Sequence, residues 1–135
     1  MEKIFDPVRK KYVALTPEER VRQGMIAALA DRFGVPITHI ASEYAMSFNG
    51  LSYRADIVVF NRALSPVMLV ECKAPTVALT EAVAAQVIRY NLVLRTPFIL
   101  LTNGLEHRLF NWSETENDYV AATQMPDYET MCKWR

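Results

Sequence analysis

One short apolar run limits the folds open to this chain of 135 residues. Pro66 to Lys73 reads PVMLVECK, and its first five residues are apolar without a break. A continuous run of this kind is typical of a strand covered on both faces, because a strand with one wet face alternates apolar and polar residues. The chain must therefore place other elements on both sides of this strand, and its length suits one domain of ordinary size.

Two longer runs precede this strand and are predicted to pair with each other. Ile40 to Phe48 and Leu51 to Phe60 flank the dipeptide Asn49-Gly50. Asn-Gly accepts the two positive φ angles of a type I′ turn, the usual two-residue connection of a hairpin. We therefore predict a β-hairpin next to the buried strand.

A first helix is predicted to precede the hairpin. Thr16 is placed to act as the N-cap, Pro17 suits the first helical position, and Glu19 is placed to complete a capping box. Gly34 and Pro36 then end the helix.

The rest of the chain is predicted to add a second helix over residues 79–94 and short strands over 98–102 and 107–112, with a short final helix within 125–135. The order is helix, three strands, helix, two strands. This order favours a mixed sheet of about five strands with a helix on each face, an α/β or α+β sandwich.

The formal net charge of zero hides an uneven distribution. Residues 1–112 carry a net +3, residues 113–129 carry −5, and the last six carry +2. Binding of a polyanion would therefore need a local patch. We expect a single domain over 1–135, with a core of about 16–112 and an acidic, solvated C-terminal extension over 113–135.

Charged residues inside the predicted strands are the most informative feature. Asp56 lies in the second hairpin strand, and Glu71 and Lys73 end the most apolar strand. Burying such groups is unfavourable unless they pair or bind a metal. Alternation places Glu71 and Lys73 on one face and Cys72 on the other, and a plausible register places Asp56 beside Glu71.

Two interpretations fit this cluster. The two carboxylates, with the backbone carbonyl of Cys72 nearby, form a hard oxygen site suited to Mg²⁺, and the Lys73 ammonium can orient a water or offset phosphate charge. Alternatively, Lys73 forms a structural ion pair with Glu71 or Asp56. The spacing alone does not decide between them.

Helix-borne groups are candidates for the same site. Gln86 and Tyr90 are four residues apart and share a helical face, so they can present an amide and a phenol toward Lys73. Glu18 is predicted to lean toward the core side of the first helix, whereas capping already explains Glu19.

This order of residues resembles the PD-(D/E)-x-K nuclease superfamily, and specifically the N-terminal nuclease domain of type I restriction enzyme R subunits. Asp56 is followed fifteen positions later by Glu71-Cys72-Lys73, and QVIRY at 86–90 looks like the Q-x-x-x-Y motif of the RecB-like branch. TPEERVRQ at 16–23 also looks like the opening helix of the R-subunit domain. Ala55 stands where the superfamily name has proline.

The resemblance implies a restriction-endonuclease-like α/β core of the order α-β-β-β-α-β-β. Asp56, Glu71 and the Cys72 carbonyl would bind Mg²⁺, or Mn²⁺ in its place. The implied catalytic residues are Glu18, Asp56, Glu71, Lys73, Gln86 and Tyr90. Gln86 and Tyr90 would support the lysine and the DNA backbone.

The activity implied is that of a Mg²⁺-dependent DNA endonuclease of restriction-modification type, without the ATP-driven motor, since no G-x-x-x-x-G-K-[ST] loop occurs. Expected partners are DNA and either restriction-system subunits or a second copy. Arg22, Arg54 and Arg89 are candidate phosphate contacts. The alternatives are a catalytically silent module of this fold that binds DNA or protein, and a nuclease acting on RNA or branched DNA.

Cysteine usage and the N-terminus indicate the compartment. Cys72 and Cys132 fit neither a zinc spacing nor a disulfide framework and are predicted to be buried thiols. Neither a signal-peptide pattern nor a run of about 18 apolar residues occurs. We expect a cytoplasmic protein with no membrane segment.

Overall fold

The computed structural model describes residues 1–134 and arranges them in two sheets and three α-helices. Predictions that involve Arg135 lie outside the described residues. The strands are β1 (Lys3–Asp6), β2 (Lys11–Ala14), β3 (Ile40–Phe48), β4 (Leu51–Phe60), β5 (Pro66–Cys72), β6 (Phe98–Thr102), β7 (His107–Ser113) and β8 (Asp118–Ala122). The helices are α1 (Pro17–Asp31), α2 (Glu81–Tyr90) and α3 (Tyr128–Lys133).

The main sheet has the order β3-β4-β5-β6-β7-β8. All neighbours are antiparallel except β5 and β6, which are parallel and are joined by the crossover through α2. Helices α1 and α3 pack on one face, which includes Met68 and Val70, and α2 packs on the other, which includes Leu69. The mixed α/β sheet with helices on both faces is as predicted. None of the helices within the described chain is long and apolar enough to cross a membrane.

The central strand and the hairpin follow directly from their residues. In β5, every residue from Val67 to Cys72 is buried, because the strand has helices on both faces. The turn between β3 and β4 has positive φ at both Asn49 (49°) and Gly50 (79°), as a type I′ turn requires. Both strands of this hairpin have the predicted bounds.

Helix α1 begins as predicted, but one side chain of its first turn has a different role. The Thr16 hydroxyl accepts the backbone N–H of Glu19 at 3.0 Å, which confirms the N-cap. The Glu19 carboxylate does not complete a capping box, since it is buried and pairs with Arg9 and Arg22. The buried ion pairs outcompete the local cap because a carboxylate without a cation is costly to bury.

Three strands were not predicted. The hairpin of β1 and β2 has only four residues in each strand, too few for a clear periodicity. Strand β8 lies inside the acidic stretch that we expected to be solvated, and it completes the sheet beside β7. The predicted end of the core near residue 112 is therefore too early. Cys132 is also only half-buried, whereas Cys72 is buried, and both thiols are free.

A buried polar cluster fastens β8 to the loop that follows α2. The Tyr119 hydroxyl donates to the Thr96 carbonyl and accepts from the Asn91 side-chain amide. Asn91 also accepts the Thr96 hydroxyl at 2.7 Å, and both residues are fully buried. The last strand is thus held by side chains as well as by its ladder.

Removing the Tyr119 hydroxyl tests this attachment. Tyr119→Phe is expected to lower the free energy of unfolding by about 1 to 3 kcal/mol, because the Asn91 amide would keep a buried donor without its partner. Urea denaturation followed by circular dichroism measures the change. Tyr12→Phe removes an exposed hydroxyl and should stay within about 0.5 kcal/mol of the parent. Equal effects of the two changes would contradict the assignment.

Candidate functional site

The carboxyl groups of Asp56 and Glu71 meet where β4 and β5 separate. The paired positions of these strands begin at Ile57 and Val70, so Asp56 and Glu71 are the next position along each strand. There the side chain replaces the backbone ladder, since Asp56 Oδ2 accepts the Cys72 N–H at 2.7 Å. Asp56 is therefore held against the strand that carries Glu71.

Glu71 is the most unusual carboxylate in the described chain. It alternates with Leu69 on the α2 face, is only 8% exposed, and its Oε1 has no hydrogen-bond partner among the described residues. Burial raises the pKa of Glu71 to about 9, and the negative charge of Asp56 adds to this shift. The Lys73 ammonium acts in the opposite direction but does not cancel it.

Lys73 lies beyond the end of β5 and is half-buried. Its backbone N–H donates to the Thr102 carbonyl at 2.8 Å, which continues the pairing of β5 with β6. In residues 1–134, no ion pair within 4.0 Å joins the Lys73 ammonium to Asp56 or Glu71. The structural ion pair that we weighed against a metal site is therefore not formed.

A buried arginine supplies the positive charge nearest to Asp56. Arg22 is 6% exposed, and its Nη2 lies 3.5 Å from Asp56 Oδ1. Its other nitrogens face Glu19 Oε2 at 3.4 Å and Glu43 Oε1 at 3.5 Å. Arg22 is thus not the surface phosphate contact that we predicted. Its charge is shared among three carboxylates of the protein.

The ion pairs continue from α1 to the N-terminal hairpin. Glu19 accepts from Arg9 Nη2 at 2.8 Å and from the Gln23 amide at 3.0 Å. Arg9 in turn pairs with Asp6, which is fully buried and also accepts the Val8 N–H. A chain of alternating charges therefore links the hairpin to Arg22 and to the candidate site.

Aromatic residues approach the site from α2 and β4. The Gln86 amide donates to the Tyr90 hydroxyl at 2.7 Å, and the Tyr90 ring lies 4.6 Å from the Tyr53 ring. Burial raises the pKa of Tyr53, and the negative charge of Glu71 adds to this shift. Within the described chain, neither Gln86 nor Tyr90 hydrogen bonds to Lys73, the contact that we expected.

Tyr53 is a site residue that sequence reasoning missed. Its hydroxyl donates to the Tyr90 carbonyl, which fastens the end of α2 to β4. It packs with Ala55 on the α2 face, but strand alternation places residues three apart on opposite faces, so its distance from Asp56 in the sequence gave no signal for it.

The predicted inward orientation of Glu18 is wrong. Glu18 is exposed and Glu19 is buried, because Arg9 and Arg22 draw Glu19 inward. Glu18 still lies close enough to Cys72 that its charge contributes to the raised pKa of that buried thiol, for which burial is the largest cause. Its predicted catalytic role stays a prediction.

The two other predicted phosphate contacts are on the surface. Arg54 is 71% exposed and lies 3.8 Å from Glu43, and Arg89 is exposed near the end of α2. Both side chains are accessible, so their role stays a prediction.

The donor set of the site fits a hard divalent cation. Two adjacent carboxylates are present, and one buried oxygen of Glu71 has no partner. In the part of the chain that the structure describes, no third histidine, cysteine or carboxylate joins them. Such a sparse oxygen set suits Mg²⁺ or Mn²⁺, which keep waters and phosphate oxygens as ligands, better than zinc. Ligation by the Cys72 carbonyl stays a prediction.

Comparisons with known proteins give a consistent result. The family model described as "Type I restriction enzyme R protein N terminus (HSDR_N)" matches residues 17–126. No curated protein sequence matches at a significant level.

Two solved structures have the same fold. One is a fragment described as an HsdR subunit of a type I restriction enzyme from Vibrio vulnificus, with 19% identity and a TM-score of 0.61 over 90% of this chain. The other is described as a nuclease belonging to DUF820 from Anabaena variabilis, with 11% identity and a TM-score of 0.54 over 98% of this chain. The chain spans 25% of the Vibrio chain and 90% of the Anabaena chain.

The raised pKa of Glu71 predicts a pH-dependent stability. The folded state holds the Glu71 proton more tightly than the unfolded chain does. The resulting contribution to stability is complete below the ordinary pKa of 4.5 and is lost as the pH rises toward 9. Glu71→Gln keeps the shape without the charge, so it is expected to stabilise the protein by about 1 to 3 kcal/mol at neutral pH. The gain should vanish near pH 4.5 and be largest near pH 9.

Urea denaturation at about pH 5, 7 and 9 measures this dependence. The exposed Glu116→Gln serves as the control and should change stability little at any of these values. A Glu71→Gln protein that is less stable than the parent at neutral pH would contradict the argument.

The buried position of Arg22 yields a separate prediction. Arg22→Met is expected to lower the free energy of unfolding by about 3 kcal/mol, because Glu19 and Asp56 would lose a shared buried cation. Arg20→Met, an exposed change on the same helix, is the matched control. Chemical denaturation at neutral pH compares the two, and equal losses would show that Arg22 is not a buried charge partner.

Proposed function

The chain belongs to the family of type I restriction enzyme R protein N termini, and we propose that it is a metal-dependent nuclease domain that hydrolyses phosphodiester bonds in DNA. The observation that carries this proposal is Glu71, a buried carboxyl beside Asp56 with one oxygen unpartnered and with Lys73 unpaired nearby.

The energetic cost of burying Asp56 and Glu71 side by side supports a cation-binding site. Two adjacent carboxyls in a buried position destabilise the folded state when both are charged. The raised pKa of Glu71 reflects this cost. Groups held at an energetic disadvantage next to an unpaired amine are typical of active sites. A purely structural role would have favoured an apolar pair at this position.

Asp56 and Glu71 would hold the cation. When bound, Mg²⁺ or Mn²⁺ would supply Lewis-acid charge for the scissile phosphate and for an attacking water. Lys73 would donate or accept a proton at its Nζ, or offset charge that develops on the phosphate. Asp56 keeps its orientation through the Cys72 N–H, so the protein fixes one ligand before substrate arrives.

Targeting is expected to depend on other molecules. This chain covers only 25% of the Vibrio chain, whose printed name assigns it to a type I restriction enzyme. Because residues 1–112 carry only a net +3, unaided binding to DNA would be weak. We propose DNA as the substrate and a restriction-type assembly or a second copy as the partner.

One observation favours a second candidate, a catalytically silent module of the same fold. Arg22 lies 3.5 Å from Asp56 and already provides a positive charge there. If this charge replaced the metal, the domain would bind DNA or protein without cleaving it. Metal titration separates the two candidates.

The metal site is tested without any reaction. Mn²⁺ at about 100 times its dissociation constant should stabilise the protein by about 2.7 kcal/mol, measured as a thermal shift. Asp56→Asn and Glu71→Gln should abolish this increment, although Glu71→Gln raises the stability without metal. Glu116→Gln is the control and should keep the increment. A parent protein with no such increment would support the silent module.

Catalysis is tested on supercoiled plasmid. With Mn²⁺, Lys73→Ala should reduce nicking by at least about 100-fold, because the acid-base and charge contribution of the amine is lost. Lys73→Ala should keep the Mn²⁺ thermal shift, since Lys73 is not a ligand. Lys133→Ala, an exposed lysine on α3, is the control and should nick normally. Equal nicking by both variants would rule out the role of Lys73.

A further inference from the structure

We propose that the outer face and turn of the N-terminal hairpin, residues 3–14, form a DNA-contacting surface that prefers unpaired bases. The inference rests on the proposed function for its ligand, but its observations are separate from the metal site. They are an exposed aromatic pair, two unpaired lysines, and a connection of ion pairs from the hairpin to Asp56.

An aromatic pair lies on the exposed face of the N-terminal hairpin. Phe5 and Tyr12 are direct cross-strand partners, with ring centroids 5.3 Å apart in an edge-to-face arrangement. Phe5 is 46% exposed and Tyr12 is 69% exposed. The rings support each other, so their faces are presented to solvent in a fixed orientation. Such a pair is a ready platform on which a base can stack.

Two lysines lie beside this pair. Lys3 shares its pleat face and Lys10 lies in the turn, whereas Lys11 is on the opposite pleat face, directly across from Asp6. No ion pair within the described chain involves any of these lysines. The nearby acidic groups point elsewhere, since Asp6 is fully buried on the other face and Glu2 alternates with Lys3. The outer face and the turn therefore carry Lys3 and Lys10 without an acidic partner, although the whole chain is neutral.

The back of the hairpin is fastened to the candidate site. Asp6 binds Arg9, Arg9 binds Glu19, and Arg22 joins Glu19 to Asp56. Lys10 directly follows Arg9 in the chain, so the basic turn lies two guanidinium groups from the carboxylate of the site.

The arrangement points to a polyanion with exposed ring faces. Lysines contact phosphates without regard to sequence, and an aromatic ring stacks on any base that is not already in a duplex. A fully paired duplex would use the lysines alone. DNA with single-stranded or frayed segments would use both, which predicts tighter binding to it at equal length.

The charge contribution is tested by salt dependence. Binding of a fluorescent oligo(dT) to the full chain is measured by anisotropy in EDTA, so that no cleavage occurs. Replacing Lys3 and Lys10 together with glutamine should reduce the magnitude of the slope of log K against log salt by about 1.4 units. Lys133→Gln, at the opposite end of α1 from the hairpin, should leave the slope within error.

The stacking contribution is tested in the same assay. The double change Phe5→Ser and Tyr12→Ser should weaken binding of oligo(dT) by roughly 5- to 100-fold with an unchanged salt slope. A duplex of the same length should lose much less. Leu105→Ser removes an equally exposed apolar side chain elsewhere and is the control.

The outcomes separate this inference from the proposed function. An unchanged salt slope in the lysine variant, or equal losses in the aromatic and Leu105 variants, would overturn it even if nicking is normal. Loss of the Mn²⁺ thermal shift in the hairpin variants would also overturn it, because the changes would then act through the metal site. Weaker DNA binding with a normal Mn²⁺ shift would support it.

Discussion

The structure depends on how its buried carboxylates are neutralised by neighbouring arginines. Asp56 and Glu71 are brought together where β4 and β5 separate, and burial makes their mutual repulsion expensive because the local dielectric is low. Arg22 crosses from α1 to meet Asp56, and Glu19 holds Arg22. The position of α1 over the sheet is therefore set by charge as well as by its apolar residues. The N-terminal hairpin extends the same chain of charges.

The sheet order explains why the groups of the site come from separate segments. The parallel pairing of β5 with β6 requires a crossover, and α2 forms it on the Glu71 face. The crossover returns the chain past β4, where Tyr53 meets Tyr90. One face of the sheet thus contributes Glu71 and the tyrosines, while α1 on the other face contributes Arg22. The carboxylate of Asp56 lies between these two sets.

Sequence reasoning predicted the parts of the fold that local chemistry determines. The hairpin around Asn49-Gly50 has the predicted bounds, and β5 begins where predicted and ends one residue early, because turn geometry and burial act on neighbouring residues. The orientation of Glu19 depended on Arg9, ten positions earlier, in a hairpin too short to detect. Strand β8 was missed because its five residues lie in an acidic stretch and gain stability from Asn91 and Thr96. Long-range polar contacts therefore determined both the orientation of Glu19 and the position of β8.

The distances around Arg22 show how the buried carboxylates gain a counter-charge without a short hydrogen bond to Asp56 Oδ1. Its three carboxylate contacts lie at 3.4 to 3.5 Å, whereas a charged hydrogen bond is about 2.7 to 2.9 Å. A single short ion pair between Arg22 and Asp56 would occupy Oδ1 and would place the guanidinium where a cation could otherwise bind. Sharing the guanidinium with Glu19 and Glu43 spreads its charge instead. Asp56 then gains electrostatic support while Oδ1 stays free of a short hydrogen bond, as the proposed metal site would require.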